Sequence, residues 1–447
     1  MTLSLHRGLP RWQLTTLRQR LKLVRELRYL LVDRRTAICD AIAADVQRTP
    51  SEVISNELLP TAAALEYLEK QAAQILKCRQ INNSPGWLMG VRATVHRHPF
   101  GVVGVLGTWN YPLFLNAVPM VQALVAGNAV LWKPSEHSPK FAEVWTKLLR
   151  DAGFGESVLQ VLPATREAGE ELIEADVDFV HFTGSEAVGR KIAARLGERL
   201  IPSVLELSGN DALFVLADAD VKLAARSAWY GSTLNRGRTC MATRRAFVHE
   251  SVANRFRTEL LAVQSAYGED FPSKVVFDLP MNEAGFDPTL AVRVFRTLDE
   301  ARVMHAESPH RLTASVFTDD LDVGWPWARS LGVGTVTFND VIAPTAHPAT
   351  PFPAAGASGW GETQGAEGLL AFTRPQVVTT RRGRFRPHID TVLDADPAGD
   401  DIVAGILLTR HSRTWGGMWK GLGQMFRGFR QFGRQTPPKQ IPPRASK

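Results

Sequence analysis

From residue 14 to residue 80, apolar positions recur every three or four residues, as at Leu17, Leu21, Val24 and Leu27, and glycine is scarce. That spacing predicts an amphipathic helical section. Residues 92–97 (RATVHR) alternate instead, as an exposed strand does. From Gly101 the period switches repeatedly. GVVGVLG (101–107) reads as a buried strand, FLNAVPMVQALVAG (114–127) as a helix, AVLWKPS (129–135) as a strand and PKFAEVWTKLLRDAG (139–153) as a helix closed by glycine. VLQVLP (158–163), REAGEELIEA (166–175), VDFVHFTGS (177–185) and EAVGRKIAARLG (186–197) continue as strand, helix, strand and helix. Strands alternating with helices predict parallel βαβ units in a doubly wound α/β sheet, with ligands at the carboxyl ends of the strands. A second α/β block runs from about Asp211 to Arg374.

Composition changes this picture little. Hydrophobic residues make up 45% and charged residues 22% of the 447-residue chain, as in a soluble globular protein with two or three domains. Cys39, Cys78 and Cys240 are far apart and form no CxxC, so neither a structural metal site nor a disulfide framework is expected. No apolar run is long enough to span a bilayer, and none resembles a secretory leader, so a cytoplasmic protein is expected. Charge is unevenly spread. Of a net +7, the stretch Arg410–Lys447 holds nine Lys/Arg and no acid, leaving the rest slightly acidic; a nucleic-acid-binding body is therefore not expected.

Several short stretches carry candidate chemistry. NRGRTCMATRR (235–245) sets Cys240 among Arg236, Arg238, Arg244 and Arg245. Nearby cations favour a nucleophilic thiolate, although a lone cysteine is also a common buried apolar residue. In VLELSGND (204–211), Glu206 interrupts an apolar strand, either as a salt-bridged structural group or as a general base with a raised pKa. In GTWNYP (107–112), Asn110 is a turn residue or an oxyanion donor. Lys133, in LWKPSE (131–136), ends a strand where a cation can meet ribose or phosphate. Gly184 and Ser185 stand before a helix N-terminus, a ready anion site.

In order and spacing these segments resemble the aldehyde dehydrogenase superfamily, nearest its shorter class 3-like branch. The resemblance runs through PFGVVGVLGTWNYPL, GNAVLWKPSEHSP, FTGSEAVG, LELSGND, NRGRTC, VTFND and GASGWGETQGAEGLLAFTRPQVV, over about residues 14–382. It implies oxidation of an aldehyde to a carboxylic acid with NAD or NADP. Cys240 would be the nucleophile, with Asn110 and the Cys240 backbone N–H holding the oxyanion and Glu206 activating water. Thr108, Trp109, Lys133, Ser135, Glu136, Gly184 and Ser185 would hold the cofactor. Glu136 favours NAD, because a carboxylate repels a 2′-phosphate. The implied organisation is a dinucleotide-binding domain (1–82 and 101–208), a catalytic domain (209–373), subunit-pairing strands (83–100 and 374–386) that make a homodimer, and a basic appendage (387–447).

Three features depart from the family pattern. Ser208 replaces a glycine. NEAGFDP (282–288) has Ala284 where the family has the glutamate that grips the nicotinamide ribose. Only 45 residues separate Cys240 from Gly285, a contraction of the catalytic domain between 245 and 285. The alternative is therefore a degenerate member with a binding or scaffolding role. In the appendage, Trp415, Met418, Trp419, Leu422, Met425, Phe426 and Phe429 share one helical face beside Lys420, Arg427, Arg430 and Arg434. This is the composition of a membrane-surface helix over 415–434. Its six glycines predict a segment mostly unfolded in water, helical only on a membrane or docked on the protein's own core.

Overall fold

In a computed structural model, residues 11–85, 90–268, 273–277, 289–382 and 397–432 are described, with isolated positions at 9, 88, 386 and 389. The chain divides into two units, residues 1–77 with 97–374, and residues 78–96 with 375–447.

The larger unit begins with helices α1 (Leu17–Asp33) and α2 (Arg35–Val46). A short turn (Pro50–Val53) then passes through a π-helical turn (Ile54–Leu58) into α3 (Leu59–Ile75). Thr16 and Gln19 form a capping box that starts α1, and its apolar stripe buries Val24, Leu27 and Leu31.

The first sheet contains β3 (Val102–Leu106), β4 (Ala129–Lys133), β5 (Leu159–Val161), β6 (Phe179–Thr183) and β7 (Ser203–Glu206). Helices α4 (Phe114–Ala126), α5 (Pro139–Asp151), α6 (Arg166–Glu174) and α7 (Glu186–Glu198) connect them. The order β7-β6-β3-β4-β5 is parallel throughout. Both faces are buried: Val103, Val105 and Trp132 pack with Leu27, Phe141 and Trp145, while Val102, Leu106 and Leu131 pack with Leu172 and Ile192. Direction of winding reverses between β3 and β6, so the crevice for a ligand opens at their carboxyl ends, beside Gly107 and Gly184.

The second sheet is also parallel, in the order β10 (Lys274–Phe277), β11 (Thr289–Phe295), β9 (Thr243–His249), β8 (Asp211–Val215), β12 (Thr313–Phe317) and β13 (Thr335–Phe338). Helices α8 (Val221–Thr233) and α9 (Ala253–Tyr267) cover one face, and α10 (Leu298–Ala306) and α11 (Leu321–Arg329) the other. The end of the expected block 209–373 departs from it. β14 (Phe352–Pro353) pairs antiparallel with β16 (Glu362–Thr363), and between them Gly359–Trp360 (β15) adds antiparallel to β7 of the first sheet, so this stretch, followed by α12 (Gly365–Ala371), returns to the first layer. Gly359, at φ 104, makes that approach possible, because a Cβ there would lie 1.9 Å from the Leu205 carbonyl.

The smaller unit holds a three-stranded sheet ordered β1 (Arg79–Ile81), β2 (Val91–Pro99) and β17 (Thr373–Arg381). β1, expected with the first domain, pairs antiparallel with β2. Its tail is helical: α13 (Pro397–His411) packs against α14 (Trp415–Phe432). This corrects the expectation of a mostly unfolded tail. Two of the six glycines, with Gly405 of α13, make the helix–helix seam, since a Cβ on Gly405, Gly421 or Gly428 would meet the facing helix at 2.4–2.7 Å. What glycine costs in helix propensity is offset by backbone-to-backbone packing.

Candidate active site

The loop after β3 is built on Asn116 of α4. Its Oδ1 accepts from the Thr108 N–H (3.1 Å), and its Nδ2 donates to the Thr108 and Pro112 carbonyls (3.0 and 2.7 Å). A Cβ on Gly107 would lie 2.7 Å from the same Oδ1, so the strand must end in glycine. In this frame Thr108 Oγ1 donates to Asn110 Oδ1 (2.8 Å), and Asn110 Nδ2 donates one proton to the Arg238 carbonyl (3.0 Å). An amide nitrogen carries a second N–H.

Beneath the loop lies a fully buried ion pair. Arg48 Nη1 donates to Glu57 Oε1 at 2.7 Å. The π-helical turn carries Glu57, whose Oε2 accepts from the Leu113 and Phe114 N–H groups (2.6 and 3.1 Å) leading into α4. Arg48 also donates to the Asn110 carbonyl (2.6 Å) and to Asn235 Oδ1 (2.9 Å), and its guanidinium stacks 4.2 Å from the Tyr111 ring. Burial pushes the Glu57 carboxyl up to about 7 against the pull of Arg48 and the two N–H groups.

Cys240 follows a tight turn in which Asn235, Arg236 and Gly237 all have positive φ (53, 55 and 73°). Asn235 Nδ2 ties this turn to the Asn110 carbonyl (2.9 Å), and the Tyr111 and Thr239 hydroxyls lie 2.7 Å apart. The arginines here do not serve as expected. Arg236 donates to Gln47, Arg244 to the Gly237 carbonyl and Arg245 to the Asn210 carbonyl, while Arg238 lies over the Trp109 ring. They hold loops in place rather than ionise the thiol. Burial, with the nearby carboxyl groups of Glu206 and Asp211, pushes the Cys240 thiol up to about 12. The reading that Cys240 sits among cations in order to ionise near neutral pH is therefore corrected.

Glu206 ends β7, buried. Its Oε1 accepts from Thr363 Oγ1, and its Oε2 lies 3.5 Å from Thr183 Oγ1. Among the described residues no Arg or Lys is a hydrogen-bond partner of this carboxyl, and burial raises it to about 7.

One cavity of about 880 Å³ collects every candidate residue: Thr108, Trp109, Asn110, Lys133, Ser135, Glu136, Gly184, Ser185, Glu206 and Cys240 all line it. Its donors suit a dinucleotide. Lys133 Nζ bonds Glu136 Oε2 (2.9 Å) and Arg166 bonds Glu136 Oε1 (3.1 Å). Against partial burial, its own N–H with Lys133 and Arg166 holds the Glu136 carboxyl down at about 2, an ionised acceptor for ribose hydroxyls. Ser185 caps α7 through the Val188 N–H, and that helix begins at the cavity wall, where backbone N–H groups favour phosphate. NEAGFDP (282–288), with Ala284 at the expected ribose-grip position, lies outside the described residues.

Sequence reasoning missed Arg48, Glu57, Asn116, Asn235 and Thr363. Glu57 carried little signal, since VISNELLPT sets it beside Ser55 and Asn56 and not within an apolar strand like that of Glu206. Thr363 carried none, because Glu206 lies 157 residues away in the chain; Arg48 is tied to Glu57 nine residues on, but also to Asn110 and Asn235, 62 and 187 residues away.

Comparison with known proteins identifies the family. The aldehyde dehydrogenase family profile matches residues 5–271 and 279–378. The chain is 31% identical over 422 residues to a 4,4'-diapolycopene aldehyde oxidase of Methylomonas sp, covering 84% of this chain and 80% of that protein. It is 30% identical over 409 residues to a 4,4'-diapolycopene-4,4'-dial dehydrogenase of Cytobacillus firmus, covering 80% and 89%. Among solved structures, an NADP-dependent glyceraldehyde-3-phosphate dehydrogenase from Bacillus halodurans, complexed with NADP, superposes with a TM-score of 0.78 at 26% identity, over 85% of this chain and 90% of that one. Matched by a family profile over most of its length and by relatives over four-fifths of it, the chain belongs to the aldehyde dehydrogenase family, as an oxidoreductase.

Proposed function

We propose that this protein oxidises a long, apolar aldehyde to its carboxylic acid through a covalent Cys240 intermediate. The observation that carries the reading is that Cys240, Asn110 and Glu206 line the same cavity as the nucleotide-type donors Lys133, Glu136 and Ser185. The relatives named for 4,4'-diapolycopene aldehydes favour an extended apolar substrate.

Cys240 Sγ attacks the carbonyl carbon, and its proton leaves as the S–C bond forms. That proton passes out to solvent through the open cavity, so Glu206 stays ionised for the later hydrolysis. The alkoxide accepts hydrogen bonds from the second Asn110 Nδ2–H and the Cys240 N–H. NAD(P), when bound by Thr108, Trp109, Lys133, Ser135, Glu136, Gly184 and Ser185, supplies the hydride acceptor. The remaining thioester is attacked by water, which gives its proton to Glu206. The acid then leaves, and Cys240 regains its proton. NAD is favoured over NADP, because ionised Glu136 accepts ribose hydroxyls and repels a 2′-phosphate.

The protein acts as a homodimer. Among the described residues β17 is an edge strand with Val377 and Val378 exposed, of the kind a second copy extends. The experiment that tests the catalytic reading is NADH absorbance during incubation with aldehydes of increasing chain length. Reduction rising with chain length, and absent in Cys240→Ala, supports it; no reduction with any aldehyde overturns it.

A further inference from the structure

The hairpin of α13 and α14 presents a surface that the dehydrogenase reaction does not use. Facing positions Gly421, Gly428 and half-buried Met425 seat α14 on Gly405 and Ile402 of α13. This orientation turns Trp415, Trp419, Leu422, Phe426 and Phe429 outward, at 78, 69, 38, 76 and 41% exposure. At 100° per residue these five fall within an arc of about 80°, one continuous stripe along the helix. Met418 and Met425, which the sequence groups with this face, are half-buried beside the seam instead. Val403 and Leu407, one turn apart on α13, are exposed as well.

Cations border the stripe. Arg430 lies next to it on the side away from the seam, with Lys420 beyond; Arg427, also beyond, is paired with Asp401 of α13 at 3.6 Å. Arg410 and Arg413 stand at the hairpin turn, and no acid occurs from Arg410 to the end of the sequence. No described helix is long and apolar enough to cross a membrane. Two Trp and two Phe with a Leu, flanked by basic residues, match an interfacial position: rings at the level of the headgroups and cations against anionic phosphates. The charge is complementary to that surface and selects it over a neutral one.

We propose that the α13–α14 hairpin docks the protein on an anionic lipid surface, with the Trp415–Phe429 stripe buried among the headgroups. The inference rests on the aldehyde reading only for what docking serves: an enzyme held on the bilayer meets aldehydes dissolved in it. Docking itself follows from the stripe and its charges.

Flotation of the full chain with vesicles tests this, using phosphatidylcholine alone and phosphatidylcholine mixed with phosphatidylglycerol, at low and high salt. The exposed positions allow variants that leave the seam intact, Trp419→Ser with Phe426→Ser and, separately, Lys420→Glu with Arg430→Glu. Full-length protein floats with anionic vesicles at low salt and is released by high salt. Each double variant lowers the bound fraction by about tenfold. All forms oxidise a short water-soluble aldehyde equally, so a loss of docking is separable from a loss of activity. No flotation with anionic vesicles overturns the proposal, as does undiminished flotation of the Trp419/Phe426 variant. Sedimentation of that variant at half the native mass, without any vesicle binding, overturns it in favour of a second copy on the stripe.

Discussion

The Gly209 N–H donates to the Cys240 carbonyl oxygen at 3.0 Å, and a Cβ on Gly209 would sit 2.7 Å from that oxygen. The segment carrying Glu206 is thus latched to the segment carrying Cys240, backbone to backbone, with no room for a side chain. Gly209→Ala has to push the Cys240 backbone aside. A displacement of ~1 Å at a reacting group costs about a hundredfold in rate. The expected result is a fall of that order in kcat/KM with NADH binding, followed by fluorescence, nearly unchanged.

The Arg48–Glu57 pair is expected to position Asn110 without touching substrate. Glu57→Gln leaves Arg48 buried without its counter-charge, which typically costs about 3–5 kcal/mol. Urea unfolding checks that loss. In the fraction that remains folded, the NADH burst slows while KM for NAD holds, because Arg48 supports the Asn110 carbonyl and not the nucleotide donors.

Turnover rises with pH through about 7, where Glu206 ionises. Stability moves the other way. The folded Glu206 carboxyl titrates near 7 and an unfolded glutamate near 4.5, so between those values the folded chain holds a proton that the unfolded chain has lost. That group's contribution is complete below about 4.5 and is lost as pH rises through 7. Glu206→Gln removes this dependence; its melting temperature gains on that of the native protein as pH rises from 5 to 8 (about the range over which the native group titrates).

Glu136→Gln keeps a hydrogen-bonding side chain but removes the charge held between Lys133 and Arg166. Those two cations are then available to a 2′-phosphate. The ratio of kcat/KM for NADP to that for NAD should rise by about tenfold or more, as for a gained charge-assisted contact. An unchanged ratio removes Glu136 as the discriminator.

Much of the larger unit was legible because its strands are short, buried and separated by helices of clear period. AVLWK and FVHFT run as β4 and β6, as the pattern implies. The cofactor-side candidates, Asn110 and Glu206 gather in one cavity because each stands at the carboxyl end of a first-sheet strand or in the turn after it, where a doubly wound sheet places its ligands; Cys240 reaches the same cavity from the turn before β9. What stayed hidden was long-range. The pairing of Arg48 with Asn235, and of Glu206 with Thr363, depends on segments that meet only in the folded chain. The arginines around Cys240 misled for a related reason: neighbours in sequence pointed to loop carbonyls, while burial set the thiol. In the tail, counting glycines as helix breakers overlooked that Gly405, Gly421 and Gly428 let two helices touch.

The central claim is that Cys240 forms a thioester that only Glu206 can release. The most direct measurement is rapid mixing of Glu206→Gln with NAD and an aldehyde substrate, followed by intact-protein mass spectrometry. The account predicts one equivalent of NADH per site, then arrest, with the acyl group retained on the Cys240 peptide. Continuous NADH formation by Glu206→Gln, with unmodified Cys240, would contradict it.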